Sequence, residues 1–267
     1  MRVTLVMAVF NQLDLTRACL DSLRATTEPF RLLVMDNGST DGTAEYLARF
    51  PHPYPLRVEG SAPGRSLPAA YNAGWRQADT EFVCFLHNDT EMLEPTWLAR
   101  LLEPFAAPDT GLTGLYGAKR VRRDGTYAGR SIVHSLAPDP TVRAPGEEVA
   151  VVDGVCMMLP RTLLEEIGGF DEGYSFHGYD KDLSFAVRGR GRRCHVVLAP
   201  FCHRGGGTRT REFAARRDVE ERDLAARRKA NARFAAKFRR RLPCDVRPVA
   251  TRVRDWIGSR LTGGAHP

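Results

Sequence analysis

The chain has 267 residues and a formal net charge of +7, a length that suits one large α/β domain or two small ones. No stretch approaches the roughly 20 apolar residues of a membrane span, the opening run Val3–Val9 is too short for a signal-peptide core, and the expected location is cytoplasmic. Six cysteines (Cys19, Cys84, Cys156, Cys194, Cys202, Cys244) show no C-x-x-C pair and no zinc-like spacing, and they read as reduced, structural thiols.

From the N-terminus, Val3–Val9 reads as a buried strand and residues 13–25 as a helix with Leu13, Leu20 and Leu23 on one face. Residues 30–35 form a second strand. It runs into D-N-G-S-T-D-G-T (36–43), where Gly38 and Gly42 supply positive φ and Asp41 or Ser39 can cap a helix reaching residue 50. A third strand is expected at 56–58 after a proline-rich turn, and a helix at 66–77.

Phe82–Leu86 is a short apolar run, the mark of a strand buried inside a parallel sheet. It ends abruptly in His87, Asn88 and Asp89. Ligands of open α/β sheets sit just beyond the carboxyl ends of the strands. A carboxylate delivered there can hold a hard divalent cation, and the cation can hold phosphate oxygens. An Asp-Thr turn that merely caps the next helix fits the same residues. The alternation of strand and helix predicts a Rossmann-like parallel sheet over the first half of the chain.

After a helix at 96–105 the pattern changes. Residues 111–121 and 126–133 look like strands with glycine-rich edges, a mixed or antiparallel extension of the sheet. The run 149–159 is interrupted by Asp153-Gly154, and a helix follows at Arg161–Ile167. Then G-G-F-D-E-G-Y-S-F-H-G-Y-D-K-D-L forms a loop feeding a helix that reaches residue 188. A last strand is expected at 194–198, and F-C-H-R-G-G-G (201–207) as a flexible polar loop.

Taken in order, D-N-G-S-T-D-G-T, the helix holding Ala69, Ala70, Asn72 and Gly74, the strand ending in N-D, V-D-G-V-C-M-M, G-G-F-D-E and Y-D-K-D-L resemble the family 2 glycosyltransferases over about residues 2–207. The resemblance implies a GT-A fold, a Rossmann-like mixed sheet flanked by helices, and an inverting enzyme that uses a nucleotide-diphosphate sugar. It implies a domain at 1–207, with a nucleotide-binding half at 1–105 and an acceptor-binding half at 106–207, and a basic helical extension at 208–267.

Carried over residue by residue, the resemblance puts the end of the first strand (Ala8, Phe10, Asn11) along the base and ribose. Asp36, with Asn37 beside it, would accept from the base, in UDP or dTDP. Arg65 and Asn72 would flank the base and diphosphate, with Ser66 where the family has glycine. Asn88 and Asp89 fall on the D-x-D-type motif. His87 stands at its first acidic position, which makes Asp89 the main ligand of Mn²⁺ or Mg²⁺. His203 would complete the metal shell, and an imidazole beside a carboxylate suits Mn²⁺ better.

Asp180 matches the catalytic carboxylate, the base that takes the acceptor hydroxyl proton; Tyr179 stands in place of the motif's glutamate. Asp182, two residues on, points to the opposite side of the helix and would be structural, favoured by the helix dipole. Leu183 and Val187 would hold the helix against the core. The acceptor side would be built from Asp153, Gly154, His177 and Tyr179, with Phe170, Tyr174 and Phe176 available for stacking. The acceptor itself, a glycan, a lipid-linked sugar or a small metabolite, is left open.

Between Arg204 and Pro243 stand 14 Lys/Arg against 5 Asp/Glu, so the basic character belongs to the tail. Glu212–Arg216, Asp218–Arg222 and Asp223–Arg227 are spaced i, i+4, which supports an exposed helix. Val219, Ala226, Ala230, Phe234 and Phe238 form a narrow apolar stripe along it. Docking on the body or in a homodimer is the first reading of this helix, and peripheral contact with an anionic inner-membrane surface the second. Nucleic acid is not expected. Two further functions share the fold, a nucleotidyltransferase and a non-catalytic nucleotide-binding protein. The first usually needs a glycine-rich phosphate loop after the first strand, which residues 8–13 lack.

Overall fold

A computed structural model describes residues 1–61, 63–204 and 217–254, the side chains of residues 130 and 217–219 excepted. Its centre is an eight-stranded mixed sheet. β1 (Val3–Val9), β2 (Phe30–Asp36), β3 (Leu56–Gly60) and β4 (Phe82–Leu86) run parallel in the order β4-β1-β2-β3. A two-strand unit, β5 (Thr90–Met92) with β14 (Phe201–His203), sits apart from this sheet.

The second half of the chain supplies β6 (Thr110–Gly114), β7 (Tyr116–Ala118), β8 (Arg120–Val121), β9 (Ile132–His134), β10 (Gly146–Val149), β11 (Val151–Val152), β12 (Cys156–Pro160) and β13 (Arg193–Val197). Strand β12 inserts antiparallel between β4 and β6, and β13 and β10 complete the far edge. Strands β11, β7 and β9 form a small antiparallel sheet. Near the C-terminus β15 (Cys244–Asp245) pairs with β8.

Both faces of the main sheet are covered, so its strands are apolar almost without alternation. On β1, Leu5, Met7 and Val9 join a core with α1 (Leu13–Ser22), whereas Val6 joins the opposite core with α3 (Leu67–Trp75). Helix α2 (Thr43–Arg49) follows the turn after β2, and Asp41 accepts from the Thr43 amide at 3.2 Å. Ser66, in place of the family's glycine, caps α3 by accepting from the Ala69 amide. Helices α4 (Trp97–Leu102) and α5 (Arg161–Ile167) flank the sheet.

Helix α6 (Tyr179–Gly189) starts at Gly178, whose φ of 83° favours glycine. Leu183 and Val187 are buried as expected. Asp182 is buried too, but its partner is not chiefly the helix dipole. Lys237 donates to it at 2.9 Å from the last turn of α7 (Arg217–Lys237).

Helix α7 is docked on the body of its own chain. Phe234 is fully buried among Val121, Val151, Phe185 and Leu242, and its ring meets Phe185 edge-on at 4.8 Å. Asp223 and Arg227 form the expected i, i+4 pair at 2.6 Å. The pair Glu212–Arg216, the side chains of Asp218 and Val219 and the stretch Gly205–Gly207 lie outside the described residues. Phe201–His203, expected as the start of a flexible loop, is instead the strand β14. No described helix is long and apolar enough to cross a membrane.

Candidate active site

A cavity of about 820 Å³ opens at the carboxyl ends of β1 and β4. Its walls come from the turns after β1 and β2, the start of α3, the end of β4, the Thr126–Tyr127 loop, the β11–β12 turn, the start of α6, the end of β14 and one face of α7. The fold thus gathers residues separated by more than two hundred positions.

The end of β4 supplies a metal-binding geometry. His87, Asp89 and His203 each offer one ligand atom, all within 4.8 Å of one another. Strand pairing puts His203 there, because β14 sets it opposite Thr90, next to Asp89. The Arg204 amide then donates to the Asp89 carbonyl at 3.0 Å and locks the register. Asp89 is 6% exposed, and its Oδ1 has no hydrogen-bond partner. His203 Nε2 lies 3.2 Å from that oxygen without hydrogen-bond alignment, and His87 Nδ1 lies 4.0 Å away.

An unsatisfied buried carboxylate oxygen is costly, and a divalent cation would satisfy it. The donor set therefore fits the metal that the resemblance implies. Burial alone would push Asp89 up, but His203 and His87 beside it bring its pKa below the usual carboxylate value. Burial pushes His87 down, which keeps its imidazole neutral and able to ligate. His87, expected only as the residue in place of the motif's first acid, stands with Asp89 and His203 as a third group able to ligate. Its other nitrogen, Nε2, is held 2.9 Å from the Tyr179 hydroxyl.

Asp180 lines the cavity at the N-terminal end of α6. The Tyr127 hydroxyl donates to its Oδ2 at 3.4 Å. Asp153, in the β11–β12 turn, shares the cavity. Burial first, and the charge of Asp180 second, push the Asp153 pKa up to about 6. Gly154 next to it leaves room for Tyr179, since a Cβ there would collide with the tyrosine hydroxyl. Tyr179 itself is 4% exposed with its hydroxyl turned onto His87, so it offers an acceptor little surface.

Ala8, Phe10, Asn37 and Arg65 also line the cavity. Phe10 is 44% exposed, an apolar surface open to a flat ligand. Asn37 donates from Nδ2 to the Arg65 carbonyl at 2.8 Å and accepts from the Arg65 amide at 3.2 Å, so the two segments are clamped together. Asn88 lines the cavity and donates to the Thr16 hydroxyl at 2.9 Å.

Three expected donor-side residues have other work. Asp36 is buried with Oδ1 accepting from the amide and hydroxyl of Ser39, and it is not among the cavity-lining residues. Asn11 ties the turn after β1 to the turn after β2, accepting from the Thr40 amide at 2.8 Å. Asn72, expected beside the base and diphosphate, is instead buried in the fold and is not among the cavity-lining residues. It is 2% exposed, donates to the Phe170 carbonyl and Glu172, and accepts from the Phe170 amide and Trp75 Nε1. A side-chain amide with all four positions engaged has none left for a donor sugar.

Of the residues expected to meet an acceptor, His177 is paired with Asp223 of α7 at 2.7 Å, and Phe176 lines the cavity 38% exposed. Phe170 and Tyr174, expected as stacking surfaces, are buried in the core. Tyr127, Lys181, Arg227 and Asn231 line the cavity without having been anticipated. Lys181 is 7% exposed, with burial lowering its pKa; it donates to the Gly125 carbonyl at 2.9 Å and to Asn231 Oδ1.

Comparison with known proteins matches residues 4–168 to the family described as Glycosyl transferase family 2. An O-antigen biosynthesis protein, RfbC of Myxococcus xanthus, is 28% identical over 211 residues, 72% of this chain and 16% of that protein. The chain spans less than half the length of the curated relatives it matches. Among solved structures, the mannosyltransferase PcManGT from Pyrobaculum calidifontis, in complex with GDP-Man and Mn²⁺, is similar with a TM-score of 0.56 at 18% identity, covering 98% of this chain and 81% of its own. GalNAc-T7 with UDP, GalNAc and Mn²⁺ gives a TM-score of 0.61 at 14% identity over 75% of this chain and 42% of its own. These likenesses establish a GT-A fold.

Proposed function

The chain belongs to glycosyltransferase family 2, and from that premise we propose that it is an inverting transferase. It moves a sugar from a nucleotide-diphosphate donor, UDP- or dTDP-linked, to an acceptor hydroxyl. The observation that carries this reading is the single cavity that holds both Asp180 and the His87–Asp89–His203 cluster. Two structural relatives carry a nucleotide or nucleotide sugar together with Mn²⁺, which supports a metal at this cluster.

Phe10, Asn37 and Arg65 bind the nucleotide end in this reading, within a donor half at 1–105. The acceptor half extends from 106 to 207. Asp180 accepts the proton of the acceptor hydroxyl as that oxygen bonds to the anomeric carbon. The bond from that carbon to the phosphate oxygen breaks, and its electron pair leaves with the nucleoside diphosphate. Tyr127 orients the Asp180 carboxylate. His87, Asp89 and His203 hold a divalent cation, Mn²⁺ in preference to Mg²⁺, which when bound neutralises negative charge on the diphosphate. Asp153, near Asp180 and with a raised pKa, is placed to hydrogen-bond the acceptor.

The test is a thermal-shift panel of UDP, dTDP, GDP and CDP, each with and without Mn²⁺. A ligand that binds only the native state raises its stability as RT ln(1 + [L]/Kd). One diphosphate should raise the melting temperature in a metal-dependent way, and Asp89→Ala should remove the shift. No shift with any of the four would overturn the reading.

A further inference from the structure

Resting on the transferase reading, we propose that α7 supplies an anion subsite on the acceptor side of the cavity, formed by Arg227 and Asn231, which holds a phosphate or carboxylate carried by the acceptor. The two residues are one helical turn apart, on one face of α7, and both line the cavity. They lie beyond residues 4–168, the stretch that matches the family.

Arg227 is held firmly without being used up. Its Nε donates to Asp223 Oδ2 at 2.6 Å, and Asp223 Oδ1 lies 2.7 Å from His177 Nε2. The two terminal nitrogens of the guanidinium have no partner among the described residues. A guanidinium fixed through Nε presents a planar two-donor fork, the geometry that matches an oxyanion. The ion pair with Asp223 is of small value for stability, because the Arg227 side chain is 60% exposed.

Asn231 adds a second donor, and its orientation follows from chemistry. Lys181 Nζ only donates, so the side-chain atom it meets is the Asn231 oxygen. The amide nitrogen is left with no partner among the described residues. This face of α7 thus offers the cavity donors alone. A neutral sugar hydroxyl both donates and accepts, whereas an oxyanion only accepts, and the donor-only face suits the oxyanion. Arg227 and Asp153 line the same cavity, and Asp153 is the residue that the transferase reading gives to the acceptor.

The experiment uses the full chain saturated with Mn²⁺ and the nucleoside diphosphate identified by the panel, so that the donor site is closed to competitors. Glucose 1-phosphate, glucuronate and glucose are titrated by calorimetry. Glucose 1-phosphate or glucuronate should bind where glucose does not, and whichever binds names the anion as phosphate or carboxylate. Arg227→Ala should weaken that binding about tenfold or more, and Arg227→Lys less. Asn231→Asp keeps the oxygen that Lys181 needs but replaces the amide donor by negative charge, and should weaken binding as strongly. The nucleotide affinity of all three variants should stay that of the parent. Equal binding in parent and variants, or no preference for the charged sugars in a protein that does bind nucleotide, would overturn the subsite and leave the transferase reading standing. A protein that binds no nucleotide would sink the transferase reading first.

Discussion

The hydroxyl of Tyr179 and Nε2 of His87 lie 2.9 Å apart, and this contact joins the residue before the proposed base to a proposed metal ligand. Metal-bound imidazoles commonly have their second nitrogen held by an outer partner, and loss of that partner costs about 10–100-fold in metal affinity. Tyr179→Phe removes the hydroxyl and keeps the ring against Tyr71 and Phe170, with centroids 6.0 and 5.8 Å away. The variant should therefore fold normally and bind Mn²⁺ at least about tenfold more weakly in a calorimetric titration without nucleotide. An unchanged affinity would mean that His87 needs no such brace.

Two imidazoles and one carboxylate make a softer donor set than the carboxylate pair of a D-x-D motif. Nitrogen donors favour Mn²⁺ and Co²⁺ over Mg²⁺. With UDP present, Mn²⁺ should raise the melting temperature more than an equal concentration of Mg²⁺. His87→Asp should narrow that difference by restoring an oxygen-rich set. If the ratio of Mn²⁺ to Mg²⁺ effects is the same in His87→Asp as in the parent, His87 does not touch the metal.

The sequence made the strand ends legible, because a buried run that stops at Asn88-Asp89 can mean only a few things. The run Val3–Val9, the helix Arg161–Ile167 and the placement of Asp180 at the start of a helix were legible for the same reason. Asn72 was not. A polar residue in a helix reads the same whether it meets a ligand or, as here, a backbone carbonyl 98 residues away at Phe170. Strand β14 has three residues, too few for any periodicity, and its pairing with β5 is the long-range event that delivers His203. The helix α7 was visible in its i, i+4 charges. Its part in the cavity was not, since Arg227 and Asn231 look like any solvated helix face until α7 is docked.

Asp180→Asn tests the assignment of the base. The substitution keeps the shape of the side chain and an oxygen for the Tyr127 hydroxyl, which now lies 3.4 Å from Oδ2. It removes the ability to accept a proton at neutral pH. Turnover with a competent acceptor should fall by about 10²–10⁴-fold, while the metal-dependent affinity for nucleoside diphosphate stays that of the parent. Parental turnover in this variant would move the base to Asp153, the other cavity carboxylate.

Asp171 ties α7 to the loop before α6, and its charge makes the docking sensitive to acid. Burial opposes ionisation, but Lys237 at 2.8 Å, the Gly173 amide and Arg233 at 3.0 Å outweigh it and bring the Asp171 pKa down to about 2. The unfolded value is about 3.9. A folded-state pKa below the unfolded one gives stability that is complete above about pH 4 and is lost as pH falls towards about 2. At neutral pH the difference corresponds to about 3 kcal/mol, an upper value because the side chain is 23% exposed to solvent. Asp171→Asn should lower the melting temperature by a few degrees at pH 7 and flatten the acid limb of the stability profile between about pH 4 and pH 2. If parent and variant lose stability in parallel over that window, the acid sensitivity belongs to other carboxylates, and α7 is held mainly by Phe234 and its apolar neighbours.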